Sequence, residues 1–206
     1  MLAATRQPNA DPLQSLKQQY GDRLSIFALE VTKDSSVLSA FEQLQSSGET
    51  VDVLVNMAGV MSRPHDQPLN GLDLAQCTEA FEVNALGPLR VLRACLPLLR
   101  KSDNPRIANV TSGCGSLGLK DNGEFYAYAA SKAALNMISR TVAFEYKTEG
   151  ICCIALDPGW VKTDLGGPDA HLEPHQSATA ICDTLGRLTL ADTSKFLRFD
   201  GQEVPW

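Results

Sequence analysis

Apolar positions along the 206 residues follow two periods that take turns. Short stretches that are continuously apolar or alternate with period two fall at residues 2–6, 24–29, 51–56, 106–112, 151–156 and around 195–199. Each has the length and composition of a strand. Between them, residues 13–20, 36–44, 72–100, 126–147 and 174–188 place apolar side chains three and four apart, the spacing of one helical face. This alternation predicts an α/β fold with a parallel sheet, because a parallel pair needs a crossover and a helix supplies it. The stretch 72–100 carries Asn84 and the Gly87-Pro88 pair near its middle, so two helices or one sharply bent helix are expected there. Turn-forming residues gather at 61–71, 113–123 and 166–174, with no repeat or linker in the pattern. A single domain over residues 1–206 is expected.

Composition narrows the classes. With 44% hydrophobic and 20% charged residues, the chain has the means to bury a core. A count of 18 Lys and Arg against 24 Asp and Glu leaves a net charge of −6, which argues against a broad nucleic-acid or anionic-lipid footprint. No apolar run approaches the roughly 20 residues of a membrane-spanning helix. The first residues lack a basic flank followed by a secretory apolar stretch. A cytoplasmic protein with no nucleic-acid or membrane partner is expected. The six cysteines include no C-x-x-C pair, and most lie in apolar segments, where a thiol acts as a small hydrophobe.

The sharpest constellation is Tyr128-Ala129-Ala130-Ser131-Lys132, inside a segment of good helix formers. Residues four apart share a helical face, so phenol and ammonium can point into one cleft. A free phenol titrates near pH 10, and a positive charge at about 4 Å is worth roughly 4 kcal/mol at an effective dielectric near 20. Lys132 is thereby expected to bring Tyr128 toward neutral working pH. The same pair also fits an exposed tyrosine beside a solvated lysine. Residues 106–112 read as a buried strand delivering Ser112 at its C-terminal end, where open α/β sheets bind ligands. Two more strands end in turn chemistry, Asn56-Met57-Ala58-Gly59 and Asp157-Pro158-Gly159, so three strand ends converge on one rim.

Taken in order, Asn56-Met57-Ala58-Gly59, Asn84, Ser112, Tyr128-x-x-x-Lys132 and Pro158-Gly159-Trp160-Val161-Lys162-Thr163 resemble the short-chain dehydrogenase/reductase superfamily along the whole chain. The long stretch between Ser112 and Tyr128 and the ending at residues 199–206 resemble its small carbonyl reductases, the branch of insect sniffer and bacterial C-factor proteins. The resemblance implies a Rossmann-like doubly wound parallel sheet with helices on both faces. It also implies an NADP(H)-dependent oxidoreductase that reduces a small aldehyde or ketone to an alcohol by hydride transfer. Tyr128 would be the general acid, and Lys132 would lower its pKa and bind the nicotinamide ribose. Ser112 would hydrogen-bond the substrate oxygen, and Asn84 would hold a proton-relaying water.

On the cofactor side, the resemblance implies Asn56, Ala58 and Gly59 at the adenosine. Glu30 and Val31 would lie beside the adenine, where the family usually has Asp-Val. Pro158, Gly159, Val161 and Thr163 would border the nicotinamide carboxamide and the phosphates. Arg6 follows the first strand, where a basic residue favours a 2′-phosphate, and so points to NADPH over NADH. The family often pairs through two long helices, here 72–100 and 126–147, which makes a homodimer an expectation as well.

The family's opening strand, its Thr-Gly-x-x-x-Gly-x-Gly turn and the helix after it have no counterpart in this sequence. Residues 1–6 match the second strand of the family, and the first strand belongs between that one and the one matching 51–56. With strands about 4.8 Å apart, its absence sets those neighbours roughly 9.6 Å apart, beyond ladder hydrogen bonding. The sheet then re-pairs, a partner chain completes it, or the chain is a truncated product. Weak cofactor binding is expected, and with it an alternative function, a catalytically impaired form acting as a regulatory or dimerising partner.

Two further patterns take bland readings. Gly113-Cys114-Gly115-Ser116-Leu117-Gly118 is a formal G-x-G-x-x-G, but Lys120-Asp121-Asn122-Gly123 breaks the chain before a helix can open, so a flexible substrate loop is expected. His171-x-x-x-His175 has the spacing of a metal pair, yet Pro174 lies between the two and no further ligands complete a site; no metal is expected. Tyr126 and Trp160 fit either a substrate border or packing.

Overall fold

Strand β1 (Leu2–Thr5) and strand β2 (Ser25–Ala28) pair in parallel across helix α1 (Asp11–Tyr20), which carries Pro12 in its first turn and ends at Gly21 with a positive φ of 56°. Helix α2 (Asp34–Ser46) leads to β3 (Val53–Asn56). The computed structural model describes residues 1–61 and 68–206, so residues 62–67 of the turn expected at 61–71 lie outside the described residues. Helix α3 (Leu74–Phe81) is capped by the Asp73 carboxylate, which accepts from the Ala75 N–H at 2.9 Å. It runs through a π turn, Glu82–Leu86, into α4 (Gly87–Leu99). Then follow β4 (Arg106–Val110), α5 (Tyr126–Tyr146), β5 (Cys152–Asp157), α6 (Pro174–Arg187) and β6 (Phe196–Arg198).

The strands β3-β4-β5-β6 form one sheet in that order, and every ladder between named strands is parallel. Alternation along β4 and β5 sends side chains to two cores. Ile107 and Cys153 face a layer built with Phe41, Leu92, Leu98 and Val142 of α2, α4 and α5. Ala108, Cys152 and Ile154 face Ile181 and Leu185 of α6. Helices therefore cover both faces, as the doubly wound reading requires. Among the described residues the cysteines are free thiols; burial pushes Cys95 up to about 12 and Cys152 up to about 11, the behaviour of packed, inert thiols.

The irregularity expected in the middle of 72–100 is the π turn, closed by the Gly87 N–H on the Glu82 carbonyl. Gly87 cannot carry a side chain there, because a Cβ would meet Val31 Cγ2 at 2.9 Å.

Between β1 and β3 no ladder forms among the described residues: β1-β2 is a sheet of its own. The chain does not re-pair across the gap foreseen in the sequence. Burial records the consequence. Every residue of β5 but the last is buried, β1 has none buried, and Val53 of β3 is 38% exposed.

Candidate functional site

The C-terminal ends of β3, β4 and β5 bring the expected residues to one rim. Helix α5 starts at Tyr126 after Phe125, whose φ of 62° turns the chain sharply into the helix. Tyr128 and Lys132 lie one turn apart on its buried face. The Lys132 ammonium is 3% exposed, donates to the Val110 carbonyl at the end of β4 at 2.8 Å, and stands 5.7 Å from the Tyr128 ring centre. Ser112 follows β4 in an extended conformation; its hydroxyl accepts from the Cys114 N–H at 3.1 Å and lies near enough to the Tyr128 phenol to lower its pKa. Asn84, in the π turn and wholly buried, clamps Val60 through both its N–H and its carbonyl at 2.8 Å, and donates to Ser131 Oγ at 2.9 Å. Asn84, Ser112, Tyr128 and Lys132 are thus brought together.

The electrostatics correct one expectation. Burial pushes Tyr128 up to about 12, with the charges of Cys114 and Asp157 adding to the rise and Ser112 opposing it. Lys132 does not offset this, because its ammonium is turned to the Val110 carbonyl. Burial in turn brings Lys132 down to about 8.

The expected cofactor residues divide. Gly59 borders the ammonium: a Cβ there would stand 3.5 Å from both Lys132 Nζ and Asn84 Oδ1, filling the space beside them. Ala58 is exposed next to it. The Asn56 side chain donates to Asn109 Oδ1 at 2.8 Å between β3 and β4. Glu30 accepts from the Thr32 N–H at 3.3 Å and hydroxyl at 3.1 Å, and Val31 packs on Gly87. Arg6 is exposed just beyond β1, next to Thr5, whose carbonyl accepts from the Leu29 N–H at 2.8 Å.

Pro158 and Gly159 turn out of β5. Gly159 has a φ of 76°, and a Cβ on it would lie 2.6 Å from Leu172 Cδ1. Val161 bridges Leu172, and Thr163 folds its own loop by donating to the Val161 carbonyl and accepting from the Gly166 N–H. Trp160 donates to the Gly166 carbonyl at 2.7 Å and packs edge-on against His171 at 4.8 Å, while Tyr126 is 42% exposed.

The G-x-G-x-x-G stretch opens no α-helix. Gly115 presses on α5, where a Cβ would meet the Lys132 backbone at 2.8 Å, and Ser116 and Gly118 donate to the carbonyls of Pro205 and Trp206 at 2.6 and 2.8 Å. Held on both sides, it is not the flexible loop expected. Two residues at the site escaped the sequence reading. Asn109 donates to Ser139 Oγ at 2.9 Å and completes a buried polar link from β3 to α5; its signal is a lone amide in an apolar strand. Asp157, at the end of β5, accepts from the Gly159 N–H at 3.1 Å.

An open parallel sheet with serine, tyrosine and lysine converging at its carboxyl rim defines a nucleotide-type α/β oxidoreductase. The short chain dehydrogenase family model matches residues 1–172, and the chain belongs to that family. The C-signal protein of Myxococcus xanthus is 44% identical over 156 residues, covering 76% of this chain and 93% of that protein. A 1-hydroxy-2-glutathionyl-2-methyl-3-butene dehydrogenase from Rhodococcus is 32% identical over 182 residues, covering 86% of this chain and 78% of that one. Among solved structures, the NADPH-bound carbonyl reductase from chicken fatty liver superposes with a TM-score of 0.89 at 30% identity. The carbonyl reductase Sniffer of Drosophila melanogaster superposes with 0.94 at 26%. Both align with all of this chain and 87% of their own. The chain is an oxidoreductase of the branch that its motifs resembled.

Proposed function

We propose that the protein reduces a small aldehyde or ketone with NADPH, with Tyr128 as proton donor. The observation that carries this reading is the buried Tyr128 with the buried Lys132 ammonium 5.7 Å from its ring centre, one helical turn on, at the strand end that carries Ser112. The chicken relative is described with NADPH, and a short-chain dehydrogenase/reductase of Burkholderia multivorans with NADP, at a TM-score of 0.88 and 30% identity.

The residues present fit the nicotinamide half of such a cofactor. Gly59 leaves open space at the ammonium, and Lys132 uses one of its three donors on Val110, leaving two for ribose hydroxyls. Arg6, exposed just beyond β1, is the cation for a 2′-phosphate. The cofactor supplies the hydride to the carbonyl carbon. Ser112 donates to the carbonyl oxygen and holds it against the phenol. Tyr128, protonated throughout the neutral range because burial holds its pKa near 12, gives its proton to that oxygen as charge develops, and an alcohol results. Lys132, at about 8, remains mostly cationic at neutral pH and keeps its donors available to the ribose hydroxyls. Asn84 fixes Val60 and Ser131 around this group and so holds the rim in register.

NADPH consumption with a panel of aldehydes and ketones tests the reading. Tyr128→Phe is expected to lower kcat by roughly 100-fold or more with the fold unchanged by circular dichroism. A wild-type protein inert on every carbonyl, or a variant as fast as wild type, would refute it. The unjoined β1 and β3 edges favour a second reading, a partner role for a chain whose catalytic residues are idle, and cofactor titration separates the two.

A further inference from the structure

Asn136 lies one turn beyond Lys132 on the face of α5 that carries Tyr128, and it too is buried. Its Nδ2 donates to the Gly115 carbonyl at 3.1 Å, a bond between residues 21 positions apart. Its Oδ1 is enclosed and has no partner among the described residues. An apolar side chain would occupy the same space without an unpaired polar atom, so the bond to Gly115 is what the amide contributes there.

Gly115 closes the turn that follows Ser112. Two more bonds tie the same segment to the same turn of α5. The Lys132 ammonium donates to the Val110 carbonyl at 2.8 Å, and the buried Thr111 hydroxyl donates to the Lys132 carbonyl at 3.2 Å. Residues 110, 111 and 115 are thus fastened to residues 132 and 136, with Ser112 inside the span. Within it, the Gly115 N–H donates to the Ser112 carbonyl at 2.9 Å, and the Cys114 N–H donates to the Ser112 hydroxyl oxygen at 3.1 Å. A hydroxyl that accepts from Cys114 keeps its own proton for another acceptor. Its aim depends on the turn staying closed.

We propose that Asn136 and Thr111 are positioning residues: they clasp the Ser112 turn to α5 at both ends and so hold the Ser112 hydroxyl in fixed register with Tyr128 and Lys132. The catalytic meaning of the clasp rests on the functional reading above, while its effect on the turn is read without turnover. Wild type, Asn136→Ala, Thr111→Val and Thr111→Ser are compared by circular dichroism, by amide hydrogen exchange, and by steady-state reduction of a carbonyl with NADPH.

In Asn136→Ala the Cys114 and Gly115 amides are expected to exchange at least about tenfold faster, while the amides of β4 keep wild-type protection. Its kcat is expected to fall about 10- to 100-fold with KM for NADPH within about threefold of wild type, a split that general loss of structure would not give. Thr111→Val is expected to lose about tenfold in kcat, and Thr111→Ser, which keeps the hydroxyl, to stay within about threefold. Wild-type exchange at Cys114 and Gly115 in Asn136→Ala would overturn the proposal, as would faster exchange with kcat unchanged, or Thr111→Ser as slow as Thr111→Val. Should Asn136→Ala not fold, Thr111→Val is judged by the same two measurements; failure of both to fold would overturn the proposal and leave a stability contact alone. A wild type without carbonyl turnover would sink the functional reading and leave hydrogen exchange to decide the clasp.

Discussion

At the scale of single residues, Lys132 carries a cost of burial. Its ammonium is 3% exposed and has one backbone acceptor, and burial lowers its pKa from 10.5 to about 8, a penalty of roughly 3 kcal/mol at neutral pH. The unfolded chain binds this proton more tightly, so the Lys132 contribution to stability is present above pH 10.5 and is lost as pH falls to about 8. Tyr128 acts in the next window: the folded chain holds the phenol proton, and its contribution is lost as pH rises from 10 to about 12. Lys132→Met is therefore expected to gain about 1–3 kcal/mol in urea unfolding at pH 7 while losing turnover, the trade of a group kept for function. A variant less stable than wild type would show that the ammonium is a net stabiliser.

Tyr128, Lys132 and Ser112 were legible because helical spacing and a strand end place them on one face before any coordinates exist. The sign at Tyr128 was not, because spacing says nothing about which acceptor the ammonium chooses. Asp157 reads as turn chemistry before Pro-Gly, and its nearness to Gly113 at another strand end was not legible in the sequence.

At the scale of elements, the periodic pattern placed every strand and helix to within a few residues, and Gly87-Pro88 marked the π turn. Residues 199–206 were recognisable as a family-like ending, yet their docking was not, since Ser116 and Pro205 are 89 positions apart. In the fold, the Val204 N–H donates to Phe196 of β6, the Trp206 ring lies 5.5 Å from the Phe196 ring, and Arg140 of α5 stands 5.2 Å above the indole. That anchor holds the carbonyls which receive Ser116 and Gly118, so the stretch after Ser112 is strapped between α5 and the tail. Trp206→Ala is expected to speed amide exchange at Gly118 and Leu119 at least tenfold and to cost about 1–3 kcal/mol of stability. KM for a carbonyl substrate should rise more than kcat falls. Unaltered exchange at these amides would mean that the loop is held by α5 alone.

At the scale of the whole molecule, two cores on the faces of β3-β4-β5-β6 carry the site, while β1-β2 stands as a separate pair. The sequence pattern predicted a strand at residues 1–6. It left open whether the strands would close ranks; backbone hydrogen bonds decide that, and side-chain periodicity does not encode them. In the proposed reading, most of the cofactor residues lie on the larger sheet, while Arg6 and Glu30 lie at the end of the small one, so cofactor binding is the property that would span both.

A calorimetric titration of the purified 206-residue protein with NADPH, and with NADH for comparison, therefore tests the central claim most directly. The account predicts saturable binding, weak because one half of the cofactor site is sparsely lined, and tighter for NADPH because of Arg6. No heat of binding from a protein that circular dichroism shows to be folded would contradict it, and would assign Tyr128, Lys132 and Ser112 to a chain that acts through a partner.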